Sequence, residues 1–140
     1  MQLTIGGTKY TIVYSVAATM SDDLLETITS MVTSVNSDDD DINIKVAGKL
    51  PSLTKTLFYG GLLQMHGEYG DNTVRSKKDA EALLFRYMTE NEGKREGTLA
   101  YLFRELYKQM GDDNFFSRIG LTEIEDQEKK SPKKKDGGAS

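Results

Sequence analysis

The residues of this chain that could do chemistry are few. His66 is the only histidine among 140 residues and there is no cysteine. A lone imidazole could act as a general base or a metal ligand, but His66 has no nearby cluster of His, Asp and Glu at ligand spacing. Placed at the end of an apolar segment, before Gly67, it reads better as a helix C-terminal histidine turned toward the last carbonyls. Asp38 to Asp41 form a run of carboxylates of the kind that hard cations use. An EF-hand loop, however, needs a further oxygen ligand where Ile42 stands and then a glycine, so a solvated loop fits this run better. The pair Gly60-Gly61 has no Walker lysine after it, and no serine or threonine sits in a nucleophile elbow. Without cysteine there is neither a disulfide nor a thiolate site. The expectation is a protein that is not an enzyme, with no catalytic residue, metal or cofactor.

The elements around these residues are organised by Pro51 to His66, whose only full charge is Lys55. A segment apolar nearly all round, Leu57-Phe58-Tyr59-Gly60-Gly61-Leu62-Leu63, must be covered on most sides, which predicts a central buried helix over about 52–66. Pro51 and Ser52 mark its start and Gly67 its end. Gly60 and Gly61 each cost about 1 kcal/mol inside a helix, so close approach of another backbone is expected there.

Before it, Gly6-Gly7 as a two-residue turn sets Ile5 opposite Thr8, Leu3 opposite Tyr10 and Met1 opposite Ile12. This register places the apolar side chains on one face of a hairpin over 2–14, which needs a third strand, a helix or another subunit against it. Ser21 caps an amphipathic helix over about 22–34, with Leu24, Ile28, Met31, Val32 and Val35 at helical spacing. Ile42, Ile44 and Val46 alternate with polar residues and offer a short third strand. Beyond the central helix, Ser76 opens a helix over 77–91 with the stripe Ala80, Leu83, Leu84, Tyr87 and Met88. Thr98 opens one over 98–110 with Leu99, Leu102, Phe103, Leu106 and Met110, and the short connection suggests an antiparallel pair. A last helix over 113–119 carries Phe115, Phe116 and Ile119, with one phenylalanine available to a partner.

The fold class expected is therefore mainly α within α+β. An N-terminal hairpin, with room for a third strand, packs on a bundle of four to five helices in one domain over 1–121. Residues 122–140 hold five acidic and five basic residues around Ile124, which predicts a disordered charged tail. The net charge of −4 and the lack of a basic aromatic stripe argue against nucleic acid as a partner. No signal-peptide pattern and no apolar run of membrane-spanning length are present, which sets the expectation of a soluble cytoplasmic protein with no membrane contact. Exposed apolar positions, taken as Phe58, Tyr59, Leu62, Tyr87, Phe103, Tyr107, Phe115 and Phe116, are the candidate partner-binding residues. Open hairpin edges and grooves between helices point to a binding or assembly module.

Three stretches carry a resemblance. Met1-Gln2-Leu3-Thr4-Ile5-Gly6-Gly7-Thr8-Lys9-Tyr10, Thr54 to Leu63 ending in His66, and Asp113-Asn114-Phe115-Phe116 with Ile119-Gly120 resemble the tail assembly chaperones of long-tailed bacteriophages and related prophages of Gram-positive bacteria. The resemblance is one of order and texture and implies a protein of the infected host's cytoplasm that is absent from the virion. Such chaperones bind the tape-measure protein, keep it soluble and help recruit tail-tube subunits, and self-association is open to this chain as well. The resemblance also implies a longer form made by programmed frameshifting, for which the adenine-rich codons of Lys133, Lys134 and Lys135, or of Lys129 and Lys130, would be the slippery site. A purely solubilising tail accounts for these lysines equally well. The alternative to a chaperone is a structural head-tail connector or tail completion protein. A nucleic-acid mimic ranks last, because acidic residues outside Asp38 to Asp41 are scattered.

Overall fold

In a computed structural model, residues 1–35 and 48–120 are described, the side chains of 31–35 excepted. The expected third strand at Ile42 to Val46, the Asp38 to Asp41 loop, the tail over 122–140 and the lysine run Lys133 to Lys135 lie outside the described residues. The chain is mainly helical with an N-terminal two-stranded antiparallel hairpin. Strands β1 (Gln2–Ile5) and β2 (Thr8–Thr11) lead into α1 (Val16–Thr19), α2 (Asp22–Val35), α3 (Leu50–His66) and α4 (Lys77–Glu90). A single 3-10 turn (Arg95–Gly97) then precedes α5 (Leu99–Asp112) and α6 (Phe115–Arg118).

The hairpin has the register that its alternation dictates, with Ile5 opposite Thr8 and Leu3 opposite Tyr10. Gly6 and Gly7 both take positive φ, +58° and +81°, as a turn matching the strand twist requires. The turn does not hang free. Gly6 N–H donates to Glu90 Oε1 at 3.0 Å, and Arg86 Nε donates to Glu90 Oε2 at 3.1 Å, so the end of α4 holds the turn.

Helix α3 occupies the centre. Strand β2 and helices α1, α2, α4 and α5 all pack on it, and Leu53, Leu57, Phe58 and Leu62 are buried together with both glycines. Gly61 is where the hairpin's continuation lies against the helix: its carbonyl accepts from Val13 N–H at 3.0 Å, and a Cβ there would meet Ile12 Cγ2 and the Tyr14 ring. At Gly60 the approaching group is the side chain of Leu24 rather than a backbone. The outer edge of β2, expected to stay open, is thus met by α3 from Thr11 to Val13.

Several boundaries differ from the expectations for local reasons. Helix α3 starts at Leu50 with Pro51 in its first turn, so Ser52 lies inside the helix and caps nothing. Helix α1 was not foreseen, since four residues are too few to show a period. Helix α5 runs through Gly111 to Asp112. Helices α4 and α5 do not form an antiparallel pair: both pack chiefly on α3, to which their apolar stripes turn. Ser21, Ser76 and Thr98 do cap, accepting from the N–H groups of Leu24, Asp79 and Tyr101 at 3.3 Å each. No helix among the described residues is long and apolar enough to cross a membrane.

Candidate partner-binding surface

Helix α5 carries two stripes. Leu102, Leu106 and Met110 are buried against the core, whereas Phe103 and Tyr107, one residue further round the helix, are only partly covered. Their rings stack with centroids 6.1 Å apart and planes 13° from parallel. After α5, Asn114 in the left-handed region (φ +54°) turns the chain so that two adjacent phenylalanines, their rings edge-on at 6.5 Å, differ in burial. Phe115 enters the core, edge-on to Tyr14 at 5.8 Å, while Phe116 stays at the rim with its ring edge-on to Tyr107 at 6.0 Å. Phe103, Tyr107 and Phe116 thereby form a continuous aromatic ladder over the α5–α6 corner.

That corner is tied to the core by Asp113. Its Oδ2 accepts from the backbone N–H of Tyr14 at 2.8 Å, and both carboxylate oxygens accept from Gln109 Nε2 at 3.0 Å. Arg118 Nε donates to the Asp113 carbonyl at 3.0 Å. Tyr14 is wholly buried and donates its hydroxyl to the Leu57 carbonyl at 2.7 Å. Burial first, and the Asp113 charge second, push its phenol well above the usual range, so it remains a donor. Arg104, Lys108 and Arg118 are exposed beside the ladder, while Glu105, between Phe103 and Tyr107 in sequence, lies on the far side of the helix.

Half of the eight candidate residues are therefore core residues. Phe58, Leu62 and Phe115 are wholly buried and Tyr87 is only 6% exposed, because α3 is covered on most of its girth and Phe115 fills the space beside Tyr14. Tyr59 is partly exposed but apart from the ladder. It lines a cleft of about 260 Å3 with Met20, Leu63, Tyr69 and Val74, between α1, the end of α3 and the following loop. Burial, then the charges of Asp23 and Asp79, raise its phenol pKa. Met20 (72% exposed), Tyr69 (78%) and Phe85 (74%) are exposed apolar residues that sequence reasoning missed. A signal existed for Phe85, which stands off the Ala80, Leu84, Tyr87 stripe; Phe85 and Met88 line an open groove beside the 92–98 loop. Tyr69 sits in a polar loop that offers no periodicity to read.

His66 is not turned to the helix carbonyls. Its Nε2 accepts from Thr11 N–H and its Nδ1 lies 3.0 Å from Asp71 Oδ2, so one nitrogen docks the hairpin and the other engages the loop after α3. Among the described residues no group of three His, Cys, Asp or Glu side chains is placed to hold a metal ion. No protein-family model, curated protein or solved structure matches the chain.

Proposed function

We propose that this chain is a tail assembly chaperone of the kind made by long-tailed bacteriophages and prophages, acting in the cytoplasm of the infected host. In this reading it holds the tape-measure protein in solution and helps bring tail-tube subunits to it, and it is not retained in the virion. The observation that carries the proposal is the ladder of Phe103, Tyr107 and Phe116, three rings in series left partly exposed on a corner that the Tyr14–Asp113 hydrogen bond ties to the core. A chaperone for a long helical protein needs a preformed apolar surface rather than chemistry, since each 100 Å2 of apolar surface removed from water contributes about 2.5 kcal/mol. A rigid aromatic surface also loses little conformational entropy on binding.

The test is co-expression with the tape-measure protein followed by affinity capture and light scattering. The expected result is a soluble complex that the triple substitution Phe103→Ala, Tyr107→Ala, Phe116→Ala abolishes. No complex, together with a stable ring of this chain in purified particles, would overturn the proposal in favour of the structural connector.

A further inference from the structure

The geometry points to the occupant of this face: we infer that the aromatic ladder takes an amphipathic α-helix whose apolar stripe is bordered by carboxylates. The choice of face rests on the chaperone reading, but the chemistry of the occupant is read from α5 itself. Ala100, Phe103, Tyr107 and Gly111 recur at i, i+3, i+7 and i+11, the spacing by which one helix presents a straight seam to another. This seam is separate from the Leu102, Leu106, Met110 stripe that faces the core. Its two ends are low, because Ala100 and Gly111 are both exposed and a Cβ on Gly111 would meet only open space. A second helix axis can therefore approach the ends of the seam while its side chains straddle the stacked rings. Phe116, edge-on to Tyr107, extends the apolar surface beyond one end.

The border of the seam determines the sign of the partner. Arg104 and Lys108, at i and i+4, run along one side of it, and neither is paired with a carboxylate among the described residues. Arg118 adds a third exposed cation at the α6 end, with its Nε on the Asp113 carbonyl. No acidic residue stands three or four positions from Phe103 or Tyr107 along α5, and the Arg104, Lys108 line meets a carboxylate only at its end, with exposed Asp112 beside Gly111. In a chain of net charge −4, the border beside the two stacked rings is basic, Arg104 and Lys108 against the single carboxylate of Asp112 further along. An acidic border on the incoming helix would meet Arg104 and Lys108, whereas a basic border would meet like charge.

The experiment uses the full chain and two labelled helical peptides with the same leucine stripe, one bordered by glutamates and the other by lysines, followed by fluorescence anisotropy. At low salt the acidic peptide should bind about tenfold more tightly, and the difference should shrink as salt is added. The double variant Arg104→Glu, Lys108→Glu should reverse the preference with its circular dichroism and melting temperature unchanged. Phe103→Ala with Tyr107→Ala should weaken both peptides alike. Equal affinities, a preference indifferent to the charge reversal, or tighter binding of a single-stranded oligonucleotide than of the acidic peptide would each overturn the inference. So would self-association through this face that excludes both peptides. Failure of tape-measure capture, by contrast, bears on the chaperone reading and leaves the peptide preference to decide this one.

Discussion

The Nε2 of His66 accepts the backbone N–H of Thr11 at 2.9 Å, a bond that joins the last residue of α3 to the last residue of β2. Because that nitrogen is an acceptor, the ring proton sits on Nδ1, where it faces Asp71 Oδ2 at 3.0 Å. Tyr10 lies tilted against the same ring with centroids 5.1 Å apart. His66→Phe keeps a ring in place but removes the acceptor, leaving a part-buried N–H unpaired. The expected cost is about 1–3 kcal/mol in urea denaturation, with faster hydrogen exchange at the Thr11 amide in particular. An unchanged exchange rate at that amide would show that the bond contributes nothing.

Acid should loosen the hairpin's two anchorages. Hydrogen bonds from the Thr73 hydroxyl and then its backbone N–H hold the Asp71 carboxyl below its ordinary value of 3.8. The Gly6 N–H, and after it Arg86, do the same for Glu90 below 4.5. A group with a depressed folded pKa contributes stability that is complete above its unfolded value and is lost as pH falls through the folded one. The melting temperature should therefore drop between about pH 5 and pH 2, and the variant Asp71→Asn, Glu90→Gln should show a shallower drop over that window. Parallel curves for the two proteins would refute the assignment.

Gly60 and Gly61 should not be equivalent. At Gly61 a methyl group meets Ile12 Cγ2 and the Tyr14 ring, with Tyr14 Cζ at 3.0 Å, and both partners are wholly buried. At Gly60 it meets the terminal methyl of Leu24 at 2.7 Å, also wholly buried but further from its own backbone than the Cγ2 of β-branched Ile12. Gly61→Ala should destabilise by about 1–3 kcal/mol despite the helix propensity gained, and Gly60→Ala by less. Thermal melts of the two variants decide it, and the reverse order would be inconsistent with this packing.

Phe115 and Phe116 provide the sharpest contrast. Phe115→Ala leaves a cavity beside Tyr14 and should cost about 3–5 kcal/mol. Phe116→Ala removes a rim residue and should cost about 1 kcal/mol or less, while lowering capture of the tape-measure protein. Chemical denaturation paired with the capture assay separates the two, and equal stability losses would place both rings in the core.

What the chain determines by itself is local. The alternation around Gly6-Gly7 is enough to write the register, since a slip of one residue would turn Leu3 and Ile5 outward. The apolar girth of Leu57 to Leu63 is enough to make α3 central, and Ser21, Ser76 and Thr98 announce three helix starts by their own hydrogen-bonding chemistry. Period alone does not say which of two adjacent aromatics faces water. Phe58 and Tyr59, or Phe115 and Phe116, differ only in what covers them, and the cover arrives from elsewhere in the chain. The bond from Tyr14 N–H to Asp113 spans 99 residues, and the turn at Asn114 that it steadies decides which phenylalanine is buried. Likewise the Thr11 N–H found its acceptor 55 residues away, on a histidine that its own neighbours predicted would turn to the helix carbonyls. Register and helix type follow from neighbours in sequence, whereas exposure, and with it the candidate surface, follows from neighbours in space.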